Sequence, residues 1–111
     1  MGKSEHDGAF SLAQRVIEHF LLIEHSPAPD QRLHWADEID AFRDQIRKLS
    51  STIRRHLKRD LDAVYGDGRR IVERKMRRYG EDEAAALPAD YPYTIERVLG
   101  DWLPETEARS P

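Results

Sequence analysis

The fold this sequence predicts is all-α: an antiparallel helical bundle of three main helices plus a short C-terminal helix. Three observations carry the prediction. Apolar residues recur at steps of three and four through most of the chain, no stretch alternates apolar and polar residues as a strand would, and proline clusters separate the periodic stretches. The 111 residues fit one helical domain, with 1–8 and 105–111 expected as flexible tails. A domain of this size buries about 65% of the surface its unfolded chain exposes, enough for one modest core.

The first helix is expected from about Ala9 to His25. Ala9, Ala13, Val16, Phe20 and Ile23 form its stripe, and Leu12, Ile17, Leu21 and Leu22 widen it over most of the girth. Ser26-Pro27-Ala28-Pro29 ends it, because proline lacks the N–H a helix needs and pushes the preceding residue out of helical geometry. Asp30 is placed to cap the second helix. From there Trp35, Ile39, Phe42, Ile46, Leu49 and Ile53 step by 4, 3, 4, 3 and 4, a heptad-like seam.

A second seam, Leu57, Leu61, Val64, Gly68, Ile71 and Lys75, repeats those steps, but it begins four residues after Ile53 where three would keep register. A turn near Ser50, with Ser50 or Ser51 as N-cap, accounts for the slip; one helix from Asp30 to Tyr79 would be about 75 Å long, too long for so small a globule. The third helix is expected from Ser51 to Tyr79. Gly68 on its seam allows close approach of a neighbour, and Gly80 terminates it. The alternative is a break at Gly66-Asp67-Gly68, since each glycine costs about 1 kcal/mol relative to alanine inside a helix. Beyond Gly80, residues Glu81 to Ala86 can add a turn or two. Leu87-Pro88 and Tyr91-Pro92-Tyr93 read as an extended connector, and Thr94 caps a last helix to about Leu99 that Gly100 closes.

Charge is segregated along the chain. Residues 43–78 hold 13 Lys or Arg against five Asp or Glu, while residues 1–42 hold three against eight and residues 79–111 two against eight. Such asymmetry reads either as a polyanion site or as helices matched to one another. The absence of cysteine excludes disulfides, thiolate metal sites and thiol nucleophiles, and it fits a cytoplasmic location. No apolar run approaches the roughly 20 residues needed to span a bilayer, and Met1 to Gly8 lacks the order of a signal peptide, so no membrane partner is expected. His6 stands where a myristoylation motif wants Ser or Thr.

The signals follow a distinctive order: Leu21-Leu22-Ile23-Glu24-His25, then Trp35, an Arg-rich stretch with Tyr65, Pro88, Pro92-Tyr93-Thr94-Ile95, Leu99 and Trp102-Leu103-Pro104. It resembles the bacterial family called domain of unknown function twenty-nine over roughly residues 12 to 104. The Pro-Tyr-Thr turn, short helix and aromatic-Leu-Pro ending are the most specific part. The resemblance implies an all-helical fold and carries no activity and no functional residues. The resemblance implies that members usually carry a further pair of helical segments ahead of the first helix read here, a departure from the pattern.

No catalytic, cofactor-binding or metal-ligating residues are predicted. On a helical wheel Arg55, Lys58, Arg59, Arg69, Arg70, Arg74 and Arg77 fall opposite the apolar seam of the third helix. That basic back can lie along phosphates, or it is a solvated face held by pairs such as Lys58 with Asp62, Arg69 with Glu73 and Glu73 with Arg77. Glu18-His19, Glu24-His25 and His34 with Glu38 carry metal-ligating types, but His19 and His25 fall on different faces and no His-Glu-x-x-His occurs. Asp37, Glu38, Asp40 and Asp44 read as solvated charge. Tyr91, Tyr93 and Trp102 read as packing that pins the connector onto the core. No nucleophile elbow or phosphate loop is present, so no enzyme is expected. The functional expectation is a non-enzymatic helical interaction module, a homo-oligomer or a complex with another helical protein. In it the first helix, too apolar for two neighbours to cover, packs across the interface. The alternative is a nucleic-acid-associated protein using the basic face of the Ser51–Tyr79 helix.

Overall fold

A computed structural model describes residues 2–26, 31–78, 80–81, 87–88, 93–100 and 102–104, with side chains from residue 7 onward. The helices are α1 (Gly2–His25), α2 (Arg32–Arg47), α3 (Ser51–Arg59), α4 (Leu61–Arg78) and α5 (Ile95–Leu99). No strand occurs among the described residues. The fold is the all-α antiparallel bundle that the periodicity predicts, with α1, α2 and α4 as its main helices. Here α1 is the central element: α2 and α4 each pack along it, α3 packs on both α1 and α4, and α5 rests on α1 and α2. By contrast, α2 and α4 scarcely touch one another among the described residues, so the two seams face α1 rather than each other.

Every apolar residue of α1 from Ala9 to Ile23 is fully or partly buried inside the single chain. Val16, Ile17, Phe20 and Leu21 have no exposed surface at all. Each such side chain contributes about 1.5–3 kcal/mol by leaving water. The stripe that two neighbours were expected to leave bare is therefore covered, because the segment around α5 supplies another wall. The helix also begins at Gly2, so the expected tail over 1–8 is helical from Gly2 on. No proline interrupts that stretch.

The expected single helix from Ser51 is broken at Asp60, not at the glycines. The Asp60 N–H still donates to His56 O at 3.0 Å, closing α3, while the Asp60 carbonyl accepts from Ala63 N at 3.0 Å and Val64 N at 3.1 Å, opening α4. Asp is a preferred residue at such a start, and the bend lets Ile53 and Leu57 and then Leu61, Val64 and Tyr65 all reach the core. Gly66 and Gly68 lie inside continuous α4. Beyond Gly68 the buried line runs through Val72 and Met76 instead of Ile71 and Lys75. A straight helix has 3.6 residues per turn, so a seam of 3.5 drifts off the contact face by about 20° per heptad; Ile71 is left 37% exposed.

The helix ends follow local chemistry. Ser50 accepts from Ile53 N at 3.2 Å and Thr94 from Arg97 N at 3.2 Å. Gly80, at φ +71°, closes α4 with Gly80 N–H on Arg77 O and Glu81 N–H on Met76 O, a Schellman arrangement. Before α2, Gln31 makes no side-chain cap; Asp30, expected there, lies outside the described residues. So do Tyr79, residues 82–86, Tyr91 and Pro92, and the expected tail over 105–111.

The two glycines of α4 make opposite predictions. A Cβ on Gly68 would meet Gln14 O at 3.3 Å and the side chains of Gln14 and Glu18 at 3.5 Å, whereas near Gly66 only the Arg70 guanidinium comes within 3.8 Å. Gly66→Ala is expected to stabilise by about 0.5–1 kcal/mol through reduced unfolded-chain entropy. Gly68→Leu is expected to destabilise by about 1–3 kcal/mol, as over-packing does. Urea denaturation of both variants checks the pair, and equal effects would contradict the close α1–α4 approach.

Candidate interaction surface

The basic surface of α3 and α4 is where the helical wheel places it, but the bend at Asp60 divides it into two patches. Arg54, Arg55, Lys58 and Arg59 are exposed on α3 and Arg70, Arg74, Arg77 and Arg78 on α4, while Arg69 is half-buried. Of the three expected ion pairs only Glu73–Arg77 forms, at 3.4 Å. Arg59 pairs instead with Asp60 at 2.9 Å, and Arg70 pairs with Asp67. Lys58 cannot reach Asp62 in the expected way, because the helix that would hold them one turn apart ends between them. Among the described residues Arg54, Arg55, Lys58, Arg74 and Arg78 find no carboxylate.

Because α2 and α4 stay apart, a groove opens between them with α1 as its floor. Ser11, Arg15, Glu18 and Leu22 line that floor at helical spacing; Glu38 and Phe42 form one wall, and Ile71 and Lys75 the other. His34 and Glu38 pair at 3.2 Å, as their one-turn spacing predicts. His19 sits at the α2 side: its Nδ1–H donates to Arg15 O at 2.7 Å, and its ring meets Phe42 edge-on at 5.4 Å. No three of His, Asp or Glu gather as a metal site among the described residues.

Titration of the groove follows from its burial. Burial pushes His19 below its ordinary 6.5, against the opposing pull of its bond to Arg15 O and of Glu38, and Lys75 and His34 add to the depression. Burial raises Glu18 above 4.5, against Gln14, Arg15 and Lys75. The unfolded chain thus protonates His19 more readily than the folded one, so stability is lost as pH falls through 6.5 toward the folded value. Glu18 works oppositely, since its folded state takes the proton more readily and acidification toward 4.5 relieves the penalty. His19→Gln is expected to flatten the loss of stability on acidification through pH 6.5, measured as urea midpoints. An unchanged pH profile would contradict a half-buried, depressed His19.

The acidic run on α2 divides. Glu38 turns into the groove, and Asp37, Asp40 and Asp44 stay exposed on the outer face. Asp44 pairs with Arg47 at 2.9 Å. The aromatics act as packing: Tyr93 is buried, its ring 5.0 Å from Phe20 and 5.9 Å from Trp102, while Trp102 meets Phe20 edge-on at 5.1 Å. Tyr93 also donates to the Glu24 carboxylate, and burial together with that carboxylate pushes its pKa upward.

Three features escaped the sequence. Arg43, read as part of the basic block, is 1% exposed and donates from Nε to Val98 O at 2.9 Å and from Nη2 to Arg97 O and Trp102 O, both at 2.6 Å. Leu33, 80% exposed, is a large apolar side chain facing outward, and Ile71, on the groove wall, is left 37% exposed. For Leu33 the signal was present: two residues before Trp35 on a helix is the opposite face.

The sequence profile of the family described as Domain of unknown function DUF29 matches residues 1–103. The chain belongs to that family. The match starts ahead of the resemblance read over residues 12–104, taking in the N-terminal turns of α1, and ends at 103. No curated protein and no solved structure matches the chain. The DUF29 assignment agrees with the all-helical architecture and brings no activity with it. No helix among the described residues is long and apolar enough to cross a membrane.

Proposed function

We propose that this DUF29 chain is a non-enzymatic, cytoplasmic helical interaction module that self-associates through its charged outer surface. The observation that carries the reading is exposed charge of opposite sign on different helices of one chain, without an ion-pair partner among the described residues: Arg74 and Arg78 on α4, Asp37 and Asp40 on α2. Charges left solvated inside one molecule are available to a second one. The apolar residues of α1 take no part, because the chain covers them itself. Association is therefore expected to weaken with salt, since exposed pairs are screened beyond about 8–10 Å at physiological ionic strength.

A second reading is a nucleic-acid-associated protein. Arg54, Arg55 and Lys58 on α3 support it, being exposed and without carboxylate partners among the described residues. One experiment separates the two: size-exclusion chromatography with light scattering and absorbance at both nucleic-acid and protein wavelengths, at low and high salt. A homo-oligomer with a protein spectrum at low salt supports the module. A nucleic-acid-laden species shedding its cargo at high salt supports the second reading. A monomer free of nucleic acid at tens of micromolar and low salt overturns both.

A further inference from the structure

We propose that the second copy docks by laying α2 of one molecule along α4 of another, Leu33 against Ile71 and Asp37 and Asp40 against Arg74, Lys75 and Arg78. The proposal rests on the self-association read above and supplies its surface.

The two stripes match in spacing. Leu33, Asp37 and Asp40 stand at steps of 0, 4 and 7, and Ile71, Lys75 and Arg78 stand at the same steps, with Arg74 beside them. Residues at such steps share one helix face. Two parallel helices set with Leu33 on Ile71 bring Asp37 opposite Lys75 and Asp40 opposite Arg78. Each stripe also starts from an exposed apolar residue. Only Leu33, Ile71 and Leu103 are large apolar side chains left exposed among the described residues, and two of the three head these stripes. Ile71, Arg74, Lys75 and Arg78 line a shallow hollow on α4, the shape an exposed leucine can enter. Neither Asp37, Asp40, Arg74 nor Arg78 has a partner among the described residues, so docking breaks no ion pair among them. An acidic helix of another protein would find the α4 hollow equally open, but only a second copy also presents a basic α4 to its partner's α2, so each molecule supplies both halves of the match.

Charge exchange tests the pairing. Asp37→Arg with Asp40→Arg makes one variant, and Arg74→Glu with Arg78→Glu makes the other; all four side chains are exposed, so both variants are expected to retain the helical circular dichroism of the wild type. In sedimentation velocity at low salt each variant alone is expected to self-associate at least about tenfold more weakly than wild type, since like charges then face each other. The equimolar mixture is expected to recover association, because the basic α2 of one variant meets the acidic α4 of the other and the remaining α2 and α4 faces are wild type. If wild type associates and neither variant changes it, or the mixture fails to recover, the surface is wrong while self-association stands. If wild type stays monomeric, the surface falls together with the reading it rests on.

Discussion

Arg43→Ala is expected to destabilise the protein by about 3–5 kcal/mol, a large part of the 5–15 kcal/mol that holds a domain of this size folded. The guanidinium is enclosed and bonded to three main-chain carbonyls, two of them in α5 and the third just beyond it. Carbonyls at a helix C-terminus lack intrahelical donors and carry the negative end of the dipole, so a fixed cation there both satisfies and neutralises them. Truncation leaves Arg97 O, Val98 O and Trp102 O to be hydrated in a packed region or left unpaired. Arg43→Lys keeps the charge but not the planar fork that reaches several acceptors at once, and is expected to recover only part of the loss. Urea denaturation followed by circular dichroism measures the effect, and Trp102 fluorescence reports release of the α5 segment. A loss below about 1 kcal/mol would show that the buried fork does not hold this segment.

Phe20→Ala is the second large effect, again about 3–5 kcal/mol, from lost transfer energy plus a cavity that a rigid surround closes only partly. Phe20 has no exposed surface and contacts Tyr93 and Trp102 through ring edges; the Arg43 guanidinium lies over its face, 5.4 Å from the centroid. The same ring therefore supports the arginine and the segment the arginine holds. The double variant Phe20→Ala with Arg43→Ala is expected to lose less than the sum of the singles by roughly 0.5–3 kcal/mol, because either truncation already loosens the shared segment. Strict additivity in a double-mutant cycle would show that the two act on separate parts of the fold.

Much of the candidate surface was legible as chemistry and little of it as geometry. The basic residues of α3 and α4 were visible as an off-seam face, since helical periodicity alone assigns sides. Which of them keep free charge was not visible, because the bend at Asp60 removed one expected pair, Lys58–Asp62, and local rotamers made two others, Arg59–Asp60 and Arg70–Asp67. The exposure of Ile71 escaped for a related reason. A 3.5-residue seam and a 3.6-residue helix agree for about two turns and then part, and only the packing of α4 on α1 tells which phase wins.

By itself the sequence determined what is decided within about four residues: the helical period, a serine cap at Ser50 or Ser51, the cap at Thr94, the termination at Gly80 and Gly100, and the apolar stripe of α1. These depend on backbone bonds and side-chain directions reaching i+3 to i+5, which residue order specifies directly. The tertiary structure alone decided that Arg43 is interior, that Tyr93 reaches Glu24, and that α2 and α4 stand apart over α1. Arg43 meets its carbonyls 54 to 59 residues away and Tyr93 its carboxylate 69 residues away. An arginine next to a seam phenylalanine reads as solvated until a distant helix end arrives to enclose it, because the free energy of burying a charge is set by acceptors that only the fold assembles.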